Sequence, residues 1–143
     1  MNIQVFSRRD IEKYVTHSHD NSALLISISS YDEFAAKVRH TTYNGIKDVL
    51  FLCFDDVDDE VWGIQPIDAT LIRRFLEKNL ARYNIDTILV NCGAGQSRSA
   101  GVAAALMVYF NGNDKPIFKN PLYKPNMLCY RTVLNEMFGE GIQ

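Results

Sequence analysis

Between residues 88 and 110 the chain reads ILVNCGAGQSRSAGVAAALMVYF: an apolar run stops at a cysteine, small residues and an arginine follow, and a second apolar run begins. The first run is short and β-branched, as in a buried strand; the second is apolar nearly all round, as in a helix packed centrally against a sheet. A polar junction between two buried elements calls for a chemical reason. A loop of small residues lets successive backbone N–H groups turn inward as an anion nest, and the following helix adds the positive end of its dipole. Arg98 supplies a planar fork that can hold two phosphate oxygens, a geometry an ammonium lacks. The same field favours a thiolate at Cys92, and the thiolate is the nucleophilic form of cysteine. Residues 92–98, CGAGQSR, thus predict a phosphate cradle around a nucleophile, lined by the backbone amides of Gly93, Ala94, Gly95, Gln96, Ser97 and Arg98.

The rest of the chain supplies a scaffold for this junction. NIQVF, SALLISIS, IKDVLFLCF and DTILV read as strands. Between them, Ser7 with Asp10 opens a helix carrying Ile11, Tyr14 and Val15, and Ser30 with Glu33 repeats the capping signature before a short helix using Phe34, Ala35 and Val38. Asn44-Gly45 marks a turn. Residues 67–82 place Ile67, Leu71, Ile72, Phe75, Leu76 and Leu80 at helical spacing. A linker, NGNDKPIFKNPLYKP, precedes a last helix capped by Asn126, with Met127, Tyr130, Val133, Leu134 and Met137 in one stripe. Strands alternating with helices predict a single α/β domain over residues 1–143, with a central, mainly parallel twisted sheet flanked by helices.

Composition narrows the function classes. At 143 residues, 47% hydrophobic and 22% charged, the chain is long enough for one sizeable core. Its net charge of -2 argues against general nucleic-acid binding, which relies on clustered Lys and Arg. No run reaches the roughly 18 apolar residues of a membrane span, and the charged start MNIQVFSRRDIEK lacks the apolar centre of a signal peptide. A cytoplasmic protein without membrane partners is the expectation. Three cysteines, Cys53, Cys92 and Cys129, are too widely spaced for a disulfide framework or a paired metal site. His17, His19 and His40 show no ligand spacing and read as surface or loop residues. No metal or cofactor is implied.

Two other readings of the junction are poorer. GAGQSR begins like a dinucleotide fingerprint, but Arg98 occupies the third glycine position and the motif lies late in the chain. An inert buried cysteine leaves Arg98 and the glycines without a purpose.

NCGAGQSRSAG resembles the signature of the cysteine-dependent protein tyrosine phosphatases, particularly the small dual-specificity branch, His-Cys-x-Ala-Gly-x-Ser-Arg-Ser. Cys92, Ala94, Gly95, Ser97, Arg98 and Ser99 match; Asn91 stands where the family usually has His. AALM at 104–107 and KPNMLCYRTVL are similar to later segments of that branch, and the likeness runs from about residue 50 onward. It implies a catalytic domain that removes phosphate from phosphotyrosine, phosphoserine and phosphothreonine in proteins. Cys92 would be the nucleophile, Arg98 the stabiliser of the transferring phosphoryl group, and Ser99 the hydroxyl that helps sulfur leave, although a helix-start serine needs no such role. Asn126 would brace the loop or serve only as an N-cap. Asn91 can still donate a hydrogen bond, which implies a retuned thiolate.

The family's general acid is an Asp on the loop before the cysteine, here within FDDVDDE, and the resemblance favours Asp56 over Asp55, with Asp58 as the alternative. A calcium loop does not fit that run, which lacks a central Gly paired with a twelfth-position Glu. The cradle has no lysine between Cys92 and Arg98, which favours a phosphoprotein over a polyanionic inositol phosphate. Readings outside this class are a silent phospho-residue binding module, an RNA 5'-phosphatase and a sulfurtransferase.

Overall fold

The computed structural model describes residues 1–139. Four strands, β1 (Asn2–Ser7), β2 (Ala23–Ser29), β3 (Ile46–Cys53) and β4 (Thr87–Cys92), form one sheet in the order β1-β4-β2-β3. Every pairing is parallel. The strand expectations hold to within a residue or two, and the sheet is wholly parallel.

Among the described residues five helices accompany the sheet: α1 (Arg8–Tyr14), α2 (Pro66–Arg82), α3 (Arg98–Asn111), α4 (Lys115–Phe118) and α5 (Met127–Phe138). Side chains alternate across a strand, so β4 sends Ile88, Val90 and Cys92 to one face and Leu89 to the other. The first face packs against α2, α3 and α5 in the main core, and the second lies under α1 with Ile11, Leu25 and Ile46. Both faces are covered, which is why β2 and β4 read as nearly continuous apolar runs. Helix α3 is buried along residues 98–107, as its all-round apolar sequence requires.

Four expectations are corrected. Residues 31–38 form no helix, although Ser30 and Glu33 make the turn their spacing suggests, with Ser30 N donating to Glu33 Oε1 at 2.7 Å. The backbone groups are used elsewhere: the Arg8 guanidinium binds the carbonyls of Phe34 and Ala35 at 2.5 and 2.9 Å, and the Lys37 amide binds Glu12 at 2.7 Å. Phe34 is 89% exposed and Ala35 is exposed as well, so most of the apolar face expected of that helix lies in water and gives it little stabilisation. The linker contains one, α4, because Pro116 suits a first helical turn and Ile117 anchors it in the core. In α5 the fully buried positions are Cys129 and Val133, while Met127, expected in the stripe, is exposed. On α2, Ile67, Leu71 and Leu80 are likewise exposed, and Ala69 and Asn79 share the buried face with Ile72, Phe75 and Leu76. Among the described residues no helix is long and apolar enough to cross a membrane.

The centre of β4 carries the core. Ile88 is fully buried against the helical layer, and truncating it leaves a cavity that parallel strands cannot collapse. Ile88→Ala should lower unfolding free energy by about 2–5 kcal/mol in urea denaturation. A loss below about 1 kcal/mol would mean that this position is not well packed.

Candidate active site

Because all four strands are parallel, their C-terminal ends share one edge of the sheet, and the loops leaving that edge meet. Residues 92–98 leave β4 there. Ser7 at the end of β1, Ser30 after β2 and Phe54 after β3 surround them.

The loop is held by its carbonyls. Gly93 O accepts from Arg8 N, Gln96 O from Lys124 N, and Ser97 O from both Asn126 N and Gly101 N, each at 2.9 Å. None of the amides of residues 93–98 donates to a backbone carbonyl among the described residues. Carbonyls engaged outward and amides left free are what an anion nest requires. Gly95 has φ +71°, and a Cβ there would lie 2.5 Å from Ser7 N, so both conformation and space demand glycine. Gly101 lets α3 approach the segment before α5; its Cβ would meet Asn126 O at 2.4 Å.

Cys92 Sγ lies 3.0 Å from Ser99 Oγ and 3.5 Å from the Ser99 amide, in the first turn of α3. Both side chains are buried. Arg98 is only 7% exposed. Its Nη1 donates to Ser30 Oγ at 2.8 Å and to Phe54 O at 2.9 Å, while its buried Nε has no hydrogen-bond partner among the described residues. Nη1 is therefore the anchor. The opposite edge, Nε with Nη2, is left to bind an anion, and Nη2 lies close to Gly93 at the start of the loop.

The acidic loop divides its work. Asp55 ties two segments together: its Oδ1 accepts from Tyr31 N at 3.1 Å and its amide donates to Trp62 O at 2.8 Å. Asp59 Oδ1 accepts from the amides of Val61 and Trp62, closing a local turn. Asp58 is exposed. Asp56 alone reaches the cradle, where its Oδ1 accepts from Ser97 Oγ at 2.7 Å and from Asn126 Nδ2 at 3.0 Å. Asn126 is the expected N-cap, and it touches the phosphate loop through its backbone amide on Ser97 O, while its side chain turns to the acidic loop. Its Oδ1 caps α5 by accepting from Cys129 N, and its Nδ2 spans to Asp56 and Val57 O.

Asn91 is placed differently from the other expected residues. It is buried, it pairs in register with Ser27 of β2, and neither of its amide atoms has a hydrogen-bond partner among the described residues. The expected bond from Asn91 to the loop is not formed, since the strand alternation turns Asn91 away from the face of Cys92. Of the remaining cysteines, burial pushes the Cys129 thiol far up, and desolvation followed by the nearby Asp55 carboxylate raises Cys53. His17 and His40 are exposed, while His19 is partly buried and stacks on Tyr14 with centroids 3.6 Å apart.

The residues that anchor Arg98 carry no signal of that role in the sequence. Ser30 reads there as a helix cap, and Phe54 acts through its carbonyl, which leaves no side-chain signal. The position of both immediately after parallel strands is the clue that points to them.

No protein-family model and no curated protein matches the sequence; solved structures do. Human DUSP28 superposes with a TM-score of 0.58 at 16% identity, covering 94% of this chain and 86% of that one. A mouse putative dual specificity phosphatase complexed with zinc tungstate gives 0.57 at 17%, covering 95% and 80%. The human tyrosine phosphatase-like serine/threonine/tyrosine-interacting protein gives 0.51 at 20%, covering 79% and 74%. The fold is that of the dual-specificity phosphatases. In this dual-specificity phosphatase fold the cradle sits between β4 and α3, and α5 buttresses it through Asn126.

That buttress is testable without any substrate. Asn126→Ala removes the α5 cap and both Nδ2 bonds, and should cost about 1–3 kcal/mol in urea denaturation. Asn126→Asp keeps the capping acceptor but sets a second carboxylate against Asp56, so its deficit should grow as pH rises from 4 to 8. A deficit independent of pH would leave capping as the only role of this side chain.

Proposed function

We propose that the protein hydrolyses phosphomonoesters through a phosphocysteine intermediate, acting on phosphotyrosine and, through a shallow site, on phosphoserine and phosphothreonine in proteins. The observation that carries this reading is the half-anchored guanidinium: Arg98 is fixed through Nη1, while Nε is buried with no partner among the described residues and Nη2 lies beside Gly93 of the thiol loop. A desolvated cation of this kind is costly unless an anion completes it.

In the first step Cys92 Sγ attacks phosphorus as the ester P–O bond breaks. The departing oxygen takes a proton from Asp56, and the amides of residues 93–98 with Arg98 carry the phosphoryl charge. Both bonds to Asp56 fall on Oδ1, which leaves Oδ2 to hold that proton. In the second step water attacks the phosphocysteine and gives its proton to Asp56. The S–P bond breaks, and the Ser99 hydroxyl, 3.0 Å from Sγ, stabilises the leaving thiolate. Inorganic phosphate is released. Neither a silent binding module nor a sulfurtransferase needs an acid at the position of Asp56.

Hydrolysis of an aryl phosphate with EDTA present and vanadate as inhibitor tests the reaction class, with metal-independent, vanadate-sensitive turnover expected. Cys92→Ser should abolish turnover and retain phosphate binding, and Arg98→Lys should lower turnover by at least ~100-fold. Residual activity within tenfold of wild type in Cys92→Ser would refute the nucleophile.

Asp56→Asn should slow phenyl phosphate by about 10²–10⁴-fold, should slow an activated nitrophenyl ester far less, and should flatten the basic limb of the pH–rate profile. Asp55→Asn should not reproduce that leaving-group dependence. If Asp55 or Asp58 shows it and Asp56 does not, the acid is misassigned while Cys92 stands.

A further inference from the structure

Ser30, whose hydroxyl anchors Arg98, opens the segment that follows β2, and residues 31–37 of that segment have little apolar hold on the core. Ala36 is the buried residue among them; the others are exposed. What fixes the segment is polar and comes from α1. The Arg8 guanidinium donates to Phe34 O and Ala35 O, and Glu12, one turn along the same helix, accepts from the Lys37 amide. Arg8 also lies between two carboxylates, with Nε 3.7 Å from Glu12 Oε2 and Nη1 3.8 Å from Glu33 Oε2. The other oxygen of Glu33 accepts from the Ser30 amide at 2.7 Å. A continuous path thus runs from Arg8 through Glu33 to Ser30, whose Oγ is 2.8 Å from Arg98 Nη1. The backbone of Arg8 meets the cradle directly, since its amide donates to Gly93 O at 2.9 Å.

We propose that Arg8 is a positioning residue for the phosphoryl group: its guanidinium holds residues 30–37 against α1, and so keeps Ser30, and through it Arg98, in register with the amides of residues 93–98. The inference rests on the reading that Arg98 and those amides bind the phosphoryl group. A segment with few buried apolar contacts opens locally at low free-energy cost, so its polar fastening decides where Ser30 sits. Carbonyls on successive residues suit a planar fork of donors, which an ammonium does not present. Arg98 in turn needs Ser30. The Nη1 group of a guanidinium carries two hydrogens, and its plane is set once both are taken, here by Phe54 O and Ser30 Oγ. With Ser30 displaced, the guanidinium can turn about its bond to the Phe54 carbonyl, and its anion-binding edge loses alignment with the loop.

Arg8→Met removes the guanidinium and keeps the backbone amide on Gly93 O. Calorimetric titration with vanadate, a five-coordinate mimic of the transferring phosphoryl group, and with inorganic phosphate separates alignment from simple anion binding. Vanadate affinity should fall by about tenfold and phosphate affinity by less than about threefold, a part of what outright loss of a preorganised donor costs. In the same variant hydrogen exchange of the amides of residues 31–37 should quicken, and kcat on an aryl phosphate should fall more than KM rises. Ser30→Ala should lower vanadate affinity likewise, and Arg8→Met should add little in that background, because residues acting through one path are not additive. Equal losses for the two anions, additive effects of Arg8→Met and Ser30→Ala, or unchanged exchange over residues 31–37 overturns the proposal. A wild-type protein that binds both anions without turnover, while Arg8→Met still weakens vanadate selectively, would refute the hydrolytic reading and leave the role of Arg8 standing. Normal turnover with the vanadate-to-phosphate affinity ratio unchanged in Arg8→Met would refute that role alone.

Discussion

The cradle depends on two segments that lie far apart in the chain and bind its carbonyls from outside. Arg8 at the β1–α1 junction takes Gly93 O; Lys124 and Asn126, before α5, take Gln96 O and Ser97 O. A seven-residue loop of small side chains has no regular structure of its own to fix its peptide planes. These bonds fix them, and the amides face the other way as a result. The parallel sheet matters because it brings the β1–α1 junction next to the end of β4, and α5 matters because it packs along α3. Gly95 and Gly101 are the positions where the bracing segments approach too closely for a side chain.

Electrostatics builds on that frame. Arg98 is almost fully buried, and its two partners, a hydroxyl and a carbonyl, are both neutral. The loop therefore keeps a cation whose charge is not cancelled locally, next to free amides and the start of α3. Acidic residues are near but otherwise occupied: Asp55 by the loops it joins and Asp59 by its own turn. Among the described acidic residues Asp56 is the one directed to the cradle, held by Ser97 from the loop itself and by Asn126 from the segment that braces it. Acid, loop and brace thus form one connected unit, and displacing any of them disturbs the other two.

Much of this is legible in the sequence, for physical reasons that differ from residue to residue. Cys92, Arg98 and the glycines announce themselves because an apolar strand and an apolar helix leave no structural use for them at the junction. Asn126 is visible as a cap, whereas the reach of its Nδ2 to Asp56 is a long-range contact that no local pattern encodes. Ser30 and Glu33 give a true local signal, a turn, but the helix it suggests is lost to Arg8 and Glu12, whose claims on the backbone are long-range. Phe54 acts through its carbonyl, and no side-chain pattern encodes that. Asn91 follows from the family pattern as a residue near the loop; the strand alternation, which the sequence also contains, places its side chain on the opposite face.

The account's central claim is that Cys92 becomes covalently phosphorylated, and rapid acid quenching during turnover of a radiolabelled phosphoprotein tests it most directly. The account predicts acid-stable label on the peptide containing Cys92 in the wild-type protein, more of it in Ser99→Ala, where loss of the intermediate is slowed, and none in Cys92→Ser. Steady turnover with no label on that peptide, or label on another residue, would contradict it.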